Sequence, residues 1–130
     1  MYKIDNKSFG FAPTFNGEIP EEQMMAWVED SKQALEKAGD SFGVFVDMRG
    51  LATLTPEAKA TMEEGRKLYK MKDMVRSAVV VDSATLVLQF ERIAKETGIY
   101  EWEKYFDASA GDDWEKAAVD WIENEVDPKD

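Results

Sequence analysis

Apolar and polar positions alternate along this chain in short strand-like runs separated by longer stretches of helical period. The run Gly43–Gly50 (GVFVDMRG) organises the rest. It stays apolar to Val46, then meets Asp47, Arg49 and a glycine, and reads as a buried central strand. Residues 2–4 and 9–12 predict short strands before it, with Phe15–Ile19 a third strand or a continuation. Asn16-Gly17 marks a turn, and Pro13 assigns its neighbourhood to an edge or loop. Pro20 followed by Glu21 and Glu22 opens a helix, and Met24, Val28, Ser31, Leu35 and Ala38 recur at helical spacing before Gly39.

Behind the central strand, Thr55-Pro56-Glu57 is a helix start with Thr55 as N-cap. That helix runs to about Met71 and puts Ala58, Met62, Gly65 and Tyr69 on one face. Gly65 in its middle costs about 1 kcal/mol against alanine, which implies close packing on the sheet. Arg76–Val81 is a strand apolar enough to be buried on both faces. Asp82-Ser83 then opens a helix with Leu86, Phe90 and Ile93 inward and a stop at Gly98. Lys104–Phe106 is a short last strand. Asp112 or Asp113 caps a final helix with Trp114, Ala118 and Trp121 or Ile122 inward. Strands alternating with helices after an all-β start predict a single α/β domain over residues 1–126, with a mixed sheet whose later strands are parallel, and an acidic tail over 127–130.

Composition narrows the chemistry. The 130 residues, 44% hydrophobic and 33% charged, suit one soluble domain with a real core. No apolar run approaches the roughly 18 residues of a membrane span, and the start MYKIDNKSFG has no signal-peptide pattern, so a cytoplasmic location is expected. A net charge of −11 without a basic cluster argues against nucleic acid and anionic membrane as partners. The absence of cysteine removes disulfides and thiolate metal sites, and the absence of histidine removes the usual general base near neutrality. Any chemistry must use carboxylates, Lys, Tyr or Arg.

The order β-β-α-β-α-β-α-β-α, with VFVDMRGL, RSAVVV, YFDAS and the Trp-ending helix AAVDWI, resembles the SpoIIAA-like (STAS/SEC14-type) bacterial family over roughly residues 8–124. The resemblance implies a small STAS-type domain without known enzymatic activity, one that binds a lipid or another hydrophobic ligand. The sporulation antagonists of that fold carry a phosphorylatable serine in an Asp-Ser-Ser-Gly motif at the second helix start. Here that place reads Leu54-Thr55-Pro56-Glu57; the motif is absent, and Pro56 with Glu57 disfavours added phosphate.

Five constellations remain. Asp47, Asp82 and Asp107 each end a strand, so parallel strands would bring them to the carboxyl edge, either as a Mg²⁺ or phosphate site or as loop and helix caps. Gln89, Arg92 and Glu96 form a polar stripe on the third helix, which with Arg49 and Arg76 makes either a basic-polar pocket or an ordinary solvated face. Arg66 and Lys70 are expected to pair with Glu63 and Glu64. Met24, Met25, Met62, Met71 and Met74 either fill the core or line a cavity between the second helix, the third helix and the sheet, with Tyr69 and Phe90 in its wall. A further option is a dimer face with Tyr100 and Trp102 together as its aromatic anchors. The expected function is a non-enzymatic binding or regulatory module, acting through a protein partner or an apolar small ligand and needing no cofactor. Its expected ligand-binding residues are Asp47, Arg49, Tyr69, Arg76, Gln89, Phe90 and Arg92. The competing reading is a metal-dependent enzyme built on the strand-end aspartates.

Overall fold

The computed structural model describes residues 1–39 and 41–128; Lys129 and Asp130 of the expected acidic tail lie outside them. Among the described residues five strands form one sheet in the order β1 (Tyr2–Lys7), β2 (Gly10–Gly17), β3 (Phe42–Leu51), β4 (Met74–Val81) and β5 (Glu103–Asp107). β1 and β2 are antiparallel, and β2 through β5 are parallel. Residues 10–17 are one strand: Pro13 sits within β2, opposite Ile4 of β1.

Helices α1 (Glu21–Glu36), α2 (Pro56–Met71) and α3 (Ala84–Thr97) fill the three crossovers between the parallel strands, and α4 (Trp114–Asn124) follows β5. Crossovers of one hand, stepping one strand at a time in one direction, deliver every helix to the same face. The core divides accordingly. Phe11, Phe15, Val44, Val46, Val79, Val81 and Tyr105 meet α1–α3 on one face, while Phe45, Ala78, Val80 and Phe106 meet Ala118, Trp121 and Ile122 of α4 on the other. Residues i and i+2 of β3 and β4 thus serve one layer and their neighbours the other, which explains why Arg76–Val81 reads as continuously apolar.

The local signals act as expected at most helix ends. Thr55 accepts a hydrogen bond from the Ala58 N–H, Ser83 accepts from that of Leu86, and Gly98 closes α3 in the left-handed conformation. Two faces differ from the periodicity. α1 buries Trp27 between Met24 and Ser31, with Val28 only half-buried. α3 is rotated so that Val87, Phe90, Glu91 and Ala94 face the core, leaving Leu86 and Ile93 outside. The cause is Glu91, which a pattern of apolar spacing reads as surface but which receives the Tyr100 hydroxyl inside.

Gly65 also has a different neighbour from the expected one. A Cβ there would run into the six-membered ring of Trp27, so the glycine admits α1 rather than the sheet. The indole lies stacked on Tyr69 at 5.9 Å and edge-on to Phe15 at 5.1 Å. This aromatic joint fixes α1 to α2 and both to β2.

Candidate functional site

The least ordinary chemistry in the molecule lies under α2. Glu103, the first residue of β5, shares a face with Tyr105 and is driven into the three-helix layer. Its side chain is 1% exposed, and its carboxylate receives the Arg66 guanidinium, the Ser77 hydroxyl at 2.7 Å and the Tyr105 hydroxyl. Arg66 reaches it from the buried stripe of α2, one turn from Met62 and from Tyr69. Burial pushes the Glu103 carboxyl up, but the guanidinium and the two hydroxyls more than reverse this and hold it below the ordinary carboxylate range. Burial and the adjacent carboxylate raise the Tyr105 phenol well above its usual value. Ser31 and the Tyr69 hydroxyl meet at 2.7 Å nearby. Tyr69 is therefore a core residue whose polar end is satisfied.

Beside this cluster is a cavity of about 30 Å³, bounded by Trp27 of α1, Met62, Arg66 and Tyr69 of α2, and Val46 and Met74 of the sheet. It lies between the first two helices and the sheet. Tyr69 is in its wall as expected. Phe90 is not; it packs 5.7 Å from the Tyr105 ring under α3. Met24, Met62 and Met74 are buried, whereas Met25 and Met71 are exposed. A space of this size holds a water molecule or two, not an organic ligand. The buried indole N–H of Trp27 has no hydrogen-bond partner among the described residues.

At the carboxyl edge the three aspartates do not share one site, although the Arg49 guanidinium bonded to Asp47 also lies within electrostatic reach of Asp82. Asp47 accepts from the Arg49 main chain at 3.0 Å and from its guanidinium at 3.0 and 2.7 Å, and Arg49 lies 4.5 Å over the Trp114 ring of α4. Burial raises the Asp47 carboxyl, yet Arg49 brings it below its ordinary value. Asp107 caps the turn after β5, accepting from the Ser109 N–H at 2.8 Å. Among the described residues no three Asp, Glu, His or Cys side chains gather as a metal site. The topology supplies the reason. Open α/β sheets make a crevice where strand order reverses, and β2 to β5 advance in one direction without reversal.

The expected basic-polar pocket is not assembled. Arg76 stands at the amino end of β4, opposite Gly43, donating to the Ile122 carbonyl at 3.0 Å in the α4 layer. Asp47 pairs with Val80 four residues further along, about 13 Å away. Gln89 and Arg92 are exposed on α3, in the opposite layer. Arg66 and Lys70 also depart from the expected pairing with Glu63 and Glu64. Arg66 goes to Glu103, and Lys70 donates to the Met74 carbonyl at 3.2 Å and lies 4.8 Å over the Trp102 ring. The Tyr100 ring is likewise covered within its own chain, with the Lys104 ammonium at 3.5 Å.

What α3 does offer is an outer surface. Leu86, Leu88 and Ile93 are 38%, 66% and 49% exposed, flanking the exposed stripe of Gln89, Arg92 and Glu96. Arg92 has no ion-pair partner among the described residues. The sequence pattern placed Leu86 and Ile93 inside, and so concealed this face. Trp27 and Glu103 are absent from the interacting residues expected from the sequence, and Arg66 takes a different partner from the expected one. A glutamate in register with core-facing Tyr105, and an arginine spaced i+4 from Met62 and i−3 from Tyr69, are the signals that pair them.

The chain is similar over its whole fold to a solved structure, that of an uncharacterised protein from the DUF3478 family with a SpoIIAA-like fold from Shewanella loihica PV-4. The two share 16% identity with a TM-score of 0.65, over 94% of this chain and 92% of that one. No family model matches the sequence, and no curated protein matches it.

Proposed function

Taking the SpoIIAA-like fold as premise, we propose that this chain is a non-catalytic binding module that engages a protein partner through the outer face of α3. The observation that carries the reading is the exposure of Leu86, Leu88 and Ile93 around Arg92, which has no ion-pair partner among the described residues. Exposed leucines on a helix whose other side already serves the core add nothing to the fold of the free chain. Burying what each still exposes recovers a part, largest for Leu88, of the roughly 1.5–3 kcal/mol that full burial of such a side chain is worth. Arginine beside apolar anchors is a frequent composition of binding hot spots. Gln89 and Glu96 supply the polar remainder of such a patch.

Two features weigh against the competing readings. The enclosed apolar cavity beside Glu103, about 30 Å³, is too small for an apolar small ligand, and the larger pockets are shallow and open to solvent. Asp47 is engaged by Arg49 within β3 and Asp107 by the turn after β5, rather than both being turned to a common point.

The test is the double substitution Leu88→Glu/Ile93→Glu. Leu88 and Ile93 lie on the outer face of α3, so the melting temperature is expected to stay within about 2 °C of wild type, corresponding to less than roughly 0.5 kcal/mol. A stoichiometric complex recovered from the host with the wild-type chain is expected to be lost with the double variant. Retention of that complex would contradict the proposed face.

A further inference from the structure

We infer that a second copy of this chain pairs with the open edge of β1, joining two sheets into one continuous sheet about a two-fold axis at Ile4. This inference is independent of the α3 face.

The hydrogen-bond phase of β1 is readable at its start. The main-chain nitrogen of Met1 donates to the Asn16 carbonyl, and the Asn16 N–H donates to the Met1 carbonyl, both at 2.8 Å. Met1 and Asn16 are therefore a mutually bonded pair. With the register Tyr2↔Phe15 through Lys7↔Gly10, the odd residues of β1 face β2 and the even ones, Tyr2, Ile4 and Asn6, turn their N–H and C=O groups outward. β1 is the end strand of the sheet, and this row has no strand beyond it among the described residues. Such an edge is a template for another strand.

Symmetry restricts the pairing. A two-fold axis normal to the sheet keeps each face on its own side, so antiparallel partners must have the same parity. Three centred registers are then available within β1. Centred on residue 3, Lys3 faces Lys3 of the second copy. Centred on residue 5, Asp5 faces Asp5 and Lys3 faces Lys7. Only centring on Ile4 places Lys3 opposite Asp5 twice, Ile4 opposite Ile4, and Tyr2 opposite Asn6. In that register the residues that pair by hydrogen bonds are the outward-facing Ile4, Tyr2 and Asn6.

Side chains agree with the backbone. Lys3 and Asp5 are 63% and 47% exposed and contact each other along the strand at 3.5 Å, a weak solvated pair that exchanges for cross-strand pairs at little cost. On the other face a shallow open groove bordered by Tyr2, Ile4, Asn6, Asp30 and Ala34 runs beside the edge, and the second Ile4 side chain would occupy it. Lysine on an edge strand commonly deters pairing; here an aspartate two residues on makes the edge complementary to itself. The charge of −11 on each copy opposes association, and a six-residue contact is small, so the dimer is concentration-dependent.

The experiment is sedimentation velocity over a concentration series at physiological ionic strength, on wild type, Lys3→Glu, Asp5→Lys and Lys3→Glu/Asp5→Lys. Wild type is expected to shift from monomer to dimer with concentration. Each single reversal puts like charges opposite and is expected to weaken the dimer at least tenfold, and the double reversal to restore it. Circular dichroism checks that all four chains fold. A wild type that stays monomeric to its solubility limit would overturn the inference, as would a dimer indifferent to the single reversals.

Discussion

Arg66→Met is expected to destabilise the fold by about 3 kcal/mol, measured by urea denaturation at neutral pH. The substitution keeps most of the packing volume but strands the Glu103 carboxylate, whose side chain is 1% exposed. The estimate sits at the low end for a stranded buried charge because the Arg66 side chain is itself 33% exposed, so water already reaches part of the pair. Ser77 and Tyr105 continue to donate to the carboxylate and soften the loss.

The pH dependence separates this cause from lost packing. In wild type the Glu103 carboxyl lies below its unfolded value, so its contribution is complete above about pH 4.3 and fades as pH falls through the folded value. In Arg66→Met the same carboxyl loses its cation while remaining buried, and its folded pKa moves above the unfolded one. The variant then loses stability as pH rises. The difference between the two proteins is expected to be widest near neutrality and to narrow on acidification. A difference independent of pH would assign the effect to packing alone.

Trp27→Ala is expected to cost about 4 kcal/mol, the range for removing a buried large aromatic. Trp27 is 2% exposed and joins Phe15, Tyr69 and the groove left by Gly65. Its removal enlarges the adjacent cavity, which the helix pair α1–α2 cannot close without shifting. Trp27→Phe is expected to cost clearly less, because it preserves a ring against Tyr69 and deletes the indole N–H that has no hydrogen-bond partner among the described residues. Thermal denaturation of the two variants beside wild type checks both. Equal losses would mean that a phenylalanine ring recovers none of the packing against Tyr69 and Phe15.

Much of this fold is legible in the residues because local signals and burial agree. Thr55-Pro56, Ser83 and Gly98 mark helix ends by chemistry that needs no tertiary partner. The apolar run Ala78–Val81 within β4 reports a strand covered on both sides. The exceptions share one cause, a polar or aromatic residue whose partner lies far along the chain. Glu91 enters the core through Tyr100, and so turns the face of α3. Glu103 enters through Arg66, 37 positions away, so neither reads as interior when taken alone.

The candidate site was less legible. Parallel strands bring their ends to one edge, but a crevice for a ligand there needs a reversal of strand order, and a one-way order cannot be read from strand patterns. Arg49, Arg76, Gln89 and Arg92 look like one basic-polar group in sequence, but the helix layers divide them.

The proposed role of α3 is tested most directly in the host cell by placing a photo-crosslinking amino acid at Leu88, and for comparison at Lys116 on the α4 side of the sheet. Lys116 is 81% exposed, so both probes are accessible. The account predicts one discrete protein adduct from position 88, none of that mass from position 116, and its disappearance when Ile93→Glu is added. No adduct from position 88, or the same adduct from both positions, would contradict it.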